Sequence, residues 1–393
     1  MKFVRLSLIA TAVLVLTACN KSDQAQSTVP PPANSGVQTI KIGSVAPLTG
    51  PIAHLGKDNE SGVKLAVDDL NAQGVNINGQ KIKFEVVSED DQADPKIATQ
   101  VAQRMVDQKV SAIIGHLNSG TTIPASKIYA DAGIPQISPS STNPAYTMQG
   151  FKTAFRDIAN DIQQGQALGN FAADTLKVKT VAVIDDRTAY GQGIADEFVK
   201  AFEAKGGKVV KREFTTNNAT DFMAILTSIK GEKPDLIMFG GMDAQAGPMV
   251  KQMKALDIQA KLLGADGIQS PEFIKLAGDA AEGQYASSVG MPKDKMPGFA
   301  KFNAEFQKKY GQVQIYSPYS YDATMILVDA MKRANSTDPA KFAPELDKTN
   351  YNGVTGNIQF DGKGDIKNGV VTVYEVKGNQ WATLVIVGGP TPQ

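Results

Sequence analysis

From Thr39 onward, short runs of apolar and β-branched residues alternate with longer stretches whose apolar positions recur at helical spacing. That alternation restricts the chain more than any other feature, because strand–helix–strand repeats close as parallel sheets covered by helices. It predicts strands at 39–45, 82–88, 110–115 and 135–138, with helices at about 57–73, 95–108 and 122–132. A second series begins near Thr180, with strands at 180–185, 208–214, 235–240 and 261–265 and helices at about 192–205, 220–230, 244–256 and 271–277. The two series echo each other. Leu55-Gly56, Val63-Lys64-Leu65-Ala66 and Ala72-Gln73-Gly74 return about 135 positions later as Tyr190-Gly191, Phe198-Val199-Lys200-Ala201 and Ala204-Lys205-Gly206. Gly115 and Gly240 each end the third strand of their half. One α/β unit used twice gives two doubly wound, parallel-sheet lobes with a cleft between them. Beyond Gly283 come a strand at 283–289, helices at 297–310 and 319–334, a shorter helix, and a hairpin of 370–376 and 380–387.

At 393 residues the chain exceeds one ordinary domain, and 42% hydrophobic content can fill two cores. Forty basic residues balance forty acidic ones, and aromatics make up 7%. There is neither a basic patch nor a stacking surface for nucleic acid. At the start, Lys2 and Arg5 flank an apolar run at 6–16 that is too short for a permanent membrane span. It ends in Leu16-Thr17-Ala18-Cys19, which resembles a bacterial lipobox. Residues 1–18 are therefore expected to be a lipoprotein signal peptide, and Cys19 the acylated N-terminus of a mature chain with a net charge near −2. Cys19 is the sole cysteine, so no internal disulfide forms, and lipidation accounts for an otherwise exposed thiol. Residues 19–37, with three prolines and few apolar side chains, read as a flexible tether.

The densest functional signal is AIIGHLNSGTTIPASKIYADAGIPQISPSSTNP, residues 112–144. Two strands here end in polar turns, and in an open parallel sheet ligands bind at such strand ends. Amides at the start of the following helix attract anions, and Ser119, Thr121 and Thr142 add hydroxyl donors. Neutral donors suit a carboxylate better than a triphosphate, which points to a small acid or an amino acid. In the second half, Asp266 closes a strand and can face an ammonium, while Tyr190 opens a helix and can close the pocket.

Other chemistries find no support. Gly115 to Gly120 has phosphate-loop spacing, but Thr121 stands where the phosphate-reaching lysine belongs. Gly191-Gln192-Gly193 lacks the third glycine of a dinucleotide loop, having Asp196 there. The two histidines, His54 and His116, have no metal-like partner set, and no nucleophile elbow or cysteine nucleophile is present in the mature chain. Asp361 to Asp365 reads as a turn rather than a calcium loop, since Thr372 replaces the closing glutamate. Acid pairs such as Asp68-Asp69 and Asp90-Asp91 read as solvated faces or caps. No cofactor is expected.

The run IIGHLNSGTT, PASKIYAD and IPQISPSSTNP is similar to the branched-chain amino acid binding proteins of ABC transporters, the leucine/isoleucine/valine receptors with the type I periplasmic binding protein fold. The likeness continues through PLTGPIAHLG (47–56), DDQADPK (90–96), YGQGIA (190–195), GADG (264–267) and TGNIQFDGKGD (355–365). The resemblance implies a three-crossing hinge, with lobe 1 formed by 38–158 and 287–362 and lobe 2 by 159–286 and 363–393. It assigns carboxylate and ammonium contacts to Ser119, Ser140, Thr142, Tyr190 and Asp266, with Leu55, Leu117, Asn118 and Met242 completing the pocket. Leu55 and Met242 stand where relatives often carry aromatics, and Asp266 replaces a longer glutamate. Ala93 and Asn118 occupy the positions of a disulfide found in some relatives. The implied protein is a monomeric, lipid-anchored, extracytoplasmic binder of a small L-amino acid, partnered by an ABC permease and its ATPases. Rival readings are a binder of another small carboxylate or amide, and a ligand-sensing receptor module.

Overall fold

A computed structural model describes residues 36–389. The signal peptide, the lipobox with Cys19 and nearly all of the tether lie outside the described residues.

Two sheets organise the chain. The first has six strands in the order Asn76–Ile77, Gln80–Asp90, Gln38–Ala46, Ala112–Gly115, Gln136–Ser138, Ala154–Arg156. All pairs in it are parallel except the hairpin of Asn76–Ile77 with Gln80–Asp90. The second has seven, in the order Gln380–Gly388, Val370–Lys377, Tyr285–Ser288, Lys261–Gly264, Leu236–Gly240, Thr180–Asp185, Lys208–Phe214. Its five consecutive strands from Tyr285–Ser288 to Lys208–Phe214 are parallel, and the C-terminal hairpin adds antiparallel to them.

Local sequence explains these elements. Ala112–Gly115 and Leu236–Gly240 are unbroken apolar runs, buried throughout, as parallel strands sandwiched between helix layers must be. Lys208–Phe214 has no buried residue and carries charges that blunt an exposed sheet edge. Helix Pro95–Asp107 starts where Asp94 accepts from the amides of Lys96 and Ile97, and it buries Ala98, Val101, Ala102 and Met105.

Helices Phe299–Tyr310, Ser317–Arg333 and Pro339–Leu346 follow the strands of the second sheet in sequence yet pack with the first. Ala323, Ile326, Leu327 and Met331 share one core with Ile40, Ile42, Phe84 and Ile114. The chain then returns to the second sheet through its final hairpin. It passes between the sheets three times, at about 157–160, 289–298 and 361–369. A further core contains side chains from both sides, among them Leu55, Leu117, Tyr190, Met242 and Tyr316.

Periodicity gives no element between 139 and 179, yet this stretch holds Ala145–Met148, Ala154–Arg156 and the helix Asp161–Asn170. The strand is only three residues long, and Gly165 and Gly169 weaken the helical signal. Those glycines are where this helix meets Ala189–Ala204. A Cβ on Gly165 would lie 2.7 Å from the Glu197 carbonyl carbon, and one on Gly169 2.8 Å from the Phe202 nitrogen. A second difference concerns the helix read as 122–132, which starts at Ser119. Asn118 takes an extended conformation, and its carbonyl accepts from the amides of Thr121 and Thr122, drawing the polar turn into the first helical turn.

Candidate ligand-binding site

Helix Ser119–Asp131 begins just beyond the end of strand Ala112–Gly115, so its N-terminus opens toward the cleft. The amides of Ser119 and Gly120 find no acceptor among the described residues, the condition under which a helix start holds an anion. Ser119 is buried, and its Oγ accepts from the Asn143 amide at 3.2 Å and the Ser141 hydroxyl at 3.3 Å. Ser140 Oγ accepts from Asn59 Nδ2 at 3.3 Å. Thr142 is fully buried with its Oγ1 unpartnered, and the Oδ1 of Asn118 is likewise unpartnered.

A second turn is built around Asp266, which follows strand Lys261–Gly264. Its two carboxylate oxygens accept from Tyr190 at 3.0 Å and Tyr316 at 2.6 Å. Tyr190 Oη also accepts from the Gly267 amide at 2.9 Å. Only glycine fits at 267, since a Cβ would lie 2.9 Å from that hydroxyl and 2.8 Å from Met242 Sδ. Tyr316 is held from the first sheet's side. Asp58 accepts from the amides of Gln314, Ile315, Tyr316 and Ser317 at 3.0, 3.0, 2.7 and 2.9 Å.

Between these turns sits Asp161, which sequence reasoning missed. It is fully buried, neither carboxylate oxygen has a partner, and its amide donates to Thr142 O at 2.9 Å. Burial pushes its pKa up to about 8 against the pull of the nearby Thr142 hydroxyl, which lies outside good hydrogen-bond geometry, and the neighbouring Asp266 charge adds to the rise. Asp266 is raised too, by burial, against the pull of Tyr316, Gln164 and Tyr190. Gln164, three residues beyond Asp161, is buried beside Asp266, its amide near the carboxylate but outside good hydrogen-bond geometry. The available signal for Asp161 was the capping box of Asn160 and Gln163, which fixes a helix start there. Tyr316 carried none, since its place depends on a helix that crosses back from the second sheet.

The structure therefore gathers Ser119, Ser140 and Thr142 on one side and Tyr190 and Asp266 on the other. Leu55, Leu117, Tyr190 and Met242 fall in the core that contains side chains from both sides. A cavity of about 500 Å³ opens beside them, lined by Asn118, Tyr190 and Met242 but not by Ser119, Ser140, Thr142, Asp266, Leu55 or Leu117.

Two supports lie behind the site. Arg156, fully buried, donates to the carbonyls of Ser141 and Asn143 at 2.8 and 3.0 Å and pairs with Asp365 at 2.7 Å. It ties the Thr142 turn to one of the three connections. His116, fully buried, has Nδ1 2.8 Å from Asp91 and Nε2 3.0 Å from the Tyr129 hydroxyl. Asp91 is thus not a solvated partner of Asp90. The strand end turns it inward, while Asp90 accepts from the amides of Leu48 and Gln92. His54 pairs with Asp243 at 2.7 Å. Among the described residues, no group of three or more histidine, cysteine, aspartate or glutamate side chains could hold a metal, and no helix is long and apolar enough to cross a membrane.

Helix-terminal donors and hydroxyls at one edge of a cleft, and buried carboxylates at the other, form a concave, partly polar arrangement of the kind that suits a small molecule. The chain belongs to the periplasmic binding protein family, whose model matches residues 39–380. It is 36% identical over 337 residues to the leucine-, isoleucine-, valine-, threonine- and alanine-binding protein of Pseudomonas aeruginosa, covering 86% of this chain and 90% of that one. It is 38% identical over 333 residues to Leu/Ile/Val-binding protein homolog 1 of Brucella abortus strain 2308, covering 84% and 88%. Among solved structures, the leucine binding protein LivK of Thermotoga maritima matches with a TM-score of 0.82 at 31% identity, over 88% of this chain and 98% of that one. The branched-chain amino acid substrate-binding protein LivJ of Streptococcus pneumoniae, in complex with isoleucine, matches at 0.81 and 28%, over 90% and 100%. The fold is that of the type I periplasmic binding proteins, and the family binds transport substrates rather than transforming them.

Proposed function

We propose that the chain is the extracytoplasmic substrate-binding protein of an ABC importer, anchored through a lipid on Cys19, and that it captures a branched-chain or related L-amino acid. One arrangement carries this reading: the open amides at the Ser119 helix start and the Thr142 turn lie near two buried carboxylates, Asp161 donating its amide to Thr142 O and Asp266 lying close enough for its charge to raise Asp161. That donor set complements a zwitterion, with Ser119, Ser140 and Thr142 toward the α-carboxylate and Asp266 and Asp161 toward the ammonium. Tyr190, Leu55, Leu117, Asn118 and Met242 would surround the rest of the ligand. In this reading, 38–158 with 287–362 and 159–286 with 363–393 act as lobes that close about the three connections and exclude water. The monomer delivers its ligand to a membrane permease with ATPase subunits.

A thermal-shift screen of the chain against the twenty L-amino acids tests the reading. Ligand at a hundredfold excess over its dissociation constant should stabilise the fold by about 2.7 kcal/mol. If no L-amino acid at millimolar concentration moves the melt, the proposal fails. A shift from aromatic carboxylates alone would replace it with a different acid.

A further inference from the structure

His54 lies on the helix Ala53–Gln73 that packs on the first sheet, and Asp243 is the first residue of the helix Asp243–Ala255 that packs on the second. Their side chains meet across the cleft, Nε2 to Oδ2, at 2.7 Å. Asp243 is fully buried and takes a second bond from the Ser270 hydroxyl, so its carboxylate is aimed at the imidazole by its own side of the cleft. Each partner immediately adjoins one apolar side chain proposed above to surround the ligand: His54 precedes Leu55, and Asp243 follows Met242. Leu55 and Met242 are buried in one core. We propose that His54 and Asp243 form a charge-assisted clamp across the cleft, positioning residues that hold Leu55 and Met242 face to face and so favour a ligand side chain reaching between them.

The clamp rests on the reading of the cleft as an amino-acid site, but the contact between His54 and Asp243 does not itself require a ligand. Burial alone disfavours the imidazolium. The hydrogen bond and charge of Asp243, with Glu272 on helix Pro271–Ala277 and Asp58 one turn along the His54 helix, outweigh it and hold the group above its ordinary value of 6.5. A value raised where the two side chains meet means the clamp is complete below the ordinary value and weakens as pH rises through the raised one.

Calorimetry on the full chain in detergent, with L-leucine and L-alanine as probes, tests this from about pH 5.5 to about pH 8.5. His54→Gln keeps a donor but cannot carry charge. At the acid end it should bind L-leucine about fivefold more weakly than wild type, with a smaller loss for L-alanine. The ratio of wild-type to variant affinity should then fall toward one as pH rises. Asp243→Asn should behave in the same way. A ratio constant across the pH range, or equal losses for the two ligands, overturns the proposal. If neither probe binds wild type, hydrogen exchange of ligand-free protein decides. Amides at 52–58 and 241–247 should be better protected in wild type than in His54→Gln at low pH only, and equal protection at every pH overturns the clamp. The amino-acid reading fails separately, on the absence of binding.

Discussion

At the level of single residues, the site is governed by how much charge it can bury. Asp266 has two tyrosine hydroxyls to hold, and burial together with Asp266 keeps both tyrosines protonated, well above their ordinary range. Asp161 has little beyond the nearby Thr142 hydroxyl to set against its burial, which holds its pKa at about 8, so without ligand it is mostly protonated at neutral pH. Its folded-state value lies above its ordinary 3.8, so it subtracts from stability progressively as pH rises between those two values. An incoming ammonium reverses that balance by favouring the carboxylate. At neutral pH, binding of an L-amino acid should therefore release about one proton, read as the difference in calorimetric heat between buffers of different ionisation enthalpy. Asp161→Asn should abolish the release. An unchanged proton count in that variant would show that another group takes up the charge.

The secondary-structure elements were largely legible, and the reasons for the failures are physical. Strands such as Ala112–Gly115 and Leu236–Gly240 announce themselves because parallel strands are buried on both faces and tolerate no polar alternation. Helix Asp161–Asn170 stayed hidden because tight packing against its neighbour demanded glycines, which read as helix breakers. Placing Asp161 was lost with it. The start at Ser119 was missed because Asn118 ends the extended backbone without using its side chain as a cap. Ser119, Thr142 and Asp266 lie in the turns beyond strands Ala112–Gly115, Gln136–Ser138 and Lys261–Gly264, which can be located from the strands alone. Behind the first of those turns, the buried line Asp91–His116–Tyr129 joins the strand end before 92 to the loop at 116 and the helix Ser119–Asp131. The backbone carbonyl of His116 in turn receives the Thr122 and Ser138 hydroxyls at 3.1 and 2.9 Å. Tyr129→Phe leaves a buried ring nitrogen without its partner, which should cost about 1–3 kcal/mol in urea unfolding. It should also weaken ligand binding, because the loop loses the group that sets its ring. Wild-type stability in this variant would mean that water replaces the hydroxyl.

At the scale of the whole molecule, what the sequence pattern alone could not show is which sheet the later helices join. Ser317–Arg333 is amphipathic and would satisfy either sheet, and only its partnership with Ile40, Phe84 and Ile114 decides the matter. That return brings Tyr316 to the cleft and places it in one core with Leu55, Leu117, Tyr190 and Met242. The core proposed to hold the ligand's side chain thus joins segments more than two hundred residues apart, Leu55 and Tyr316 among them, and its shape depends on how the two sides meet. Leu55 is fully buried on the first side, and Met242 is 7% exposed on the second. A methionine wall adapts to different shapes, whereas an aromatic would fill fixed volume. Leu55→Trp should therefore overpack the closed pocket, penalising the largest accepted side chain by about 1–3 kcal/mol. The smallest should bind nearly as before, because it leaves room for the indole. A calorimetric series over valine, leucine, isoleucine, methionine and phenylalanine, on wild type and variant, reads this directly. Affinity profiles that run parallel in the two proteins would place the selectivity elsewhere, in the Met242 wall or in the 500 Å³ cavity beside it.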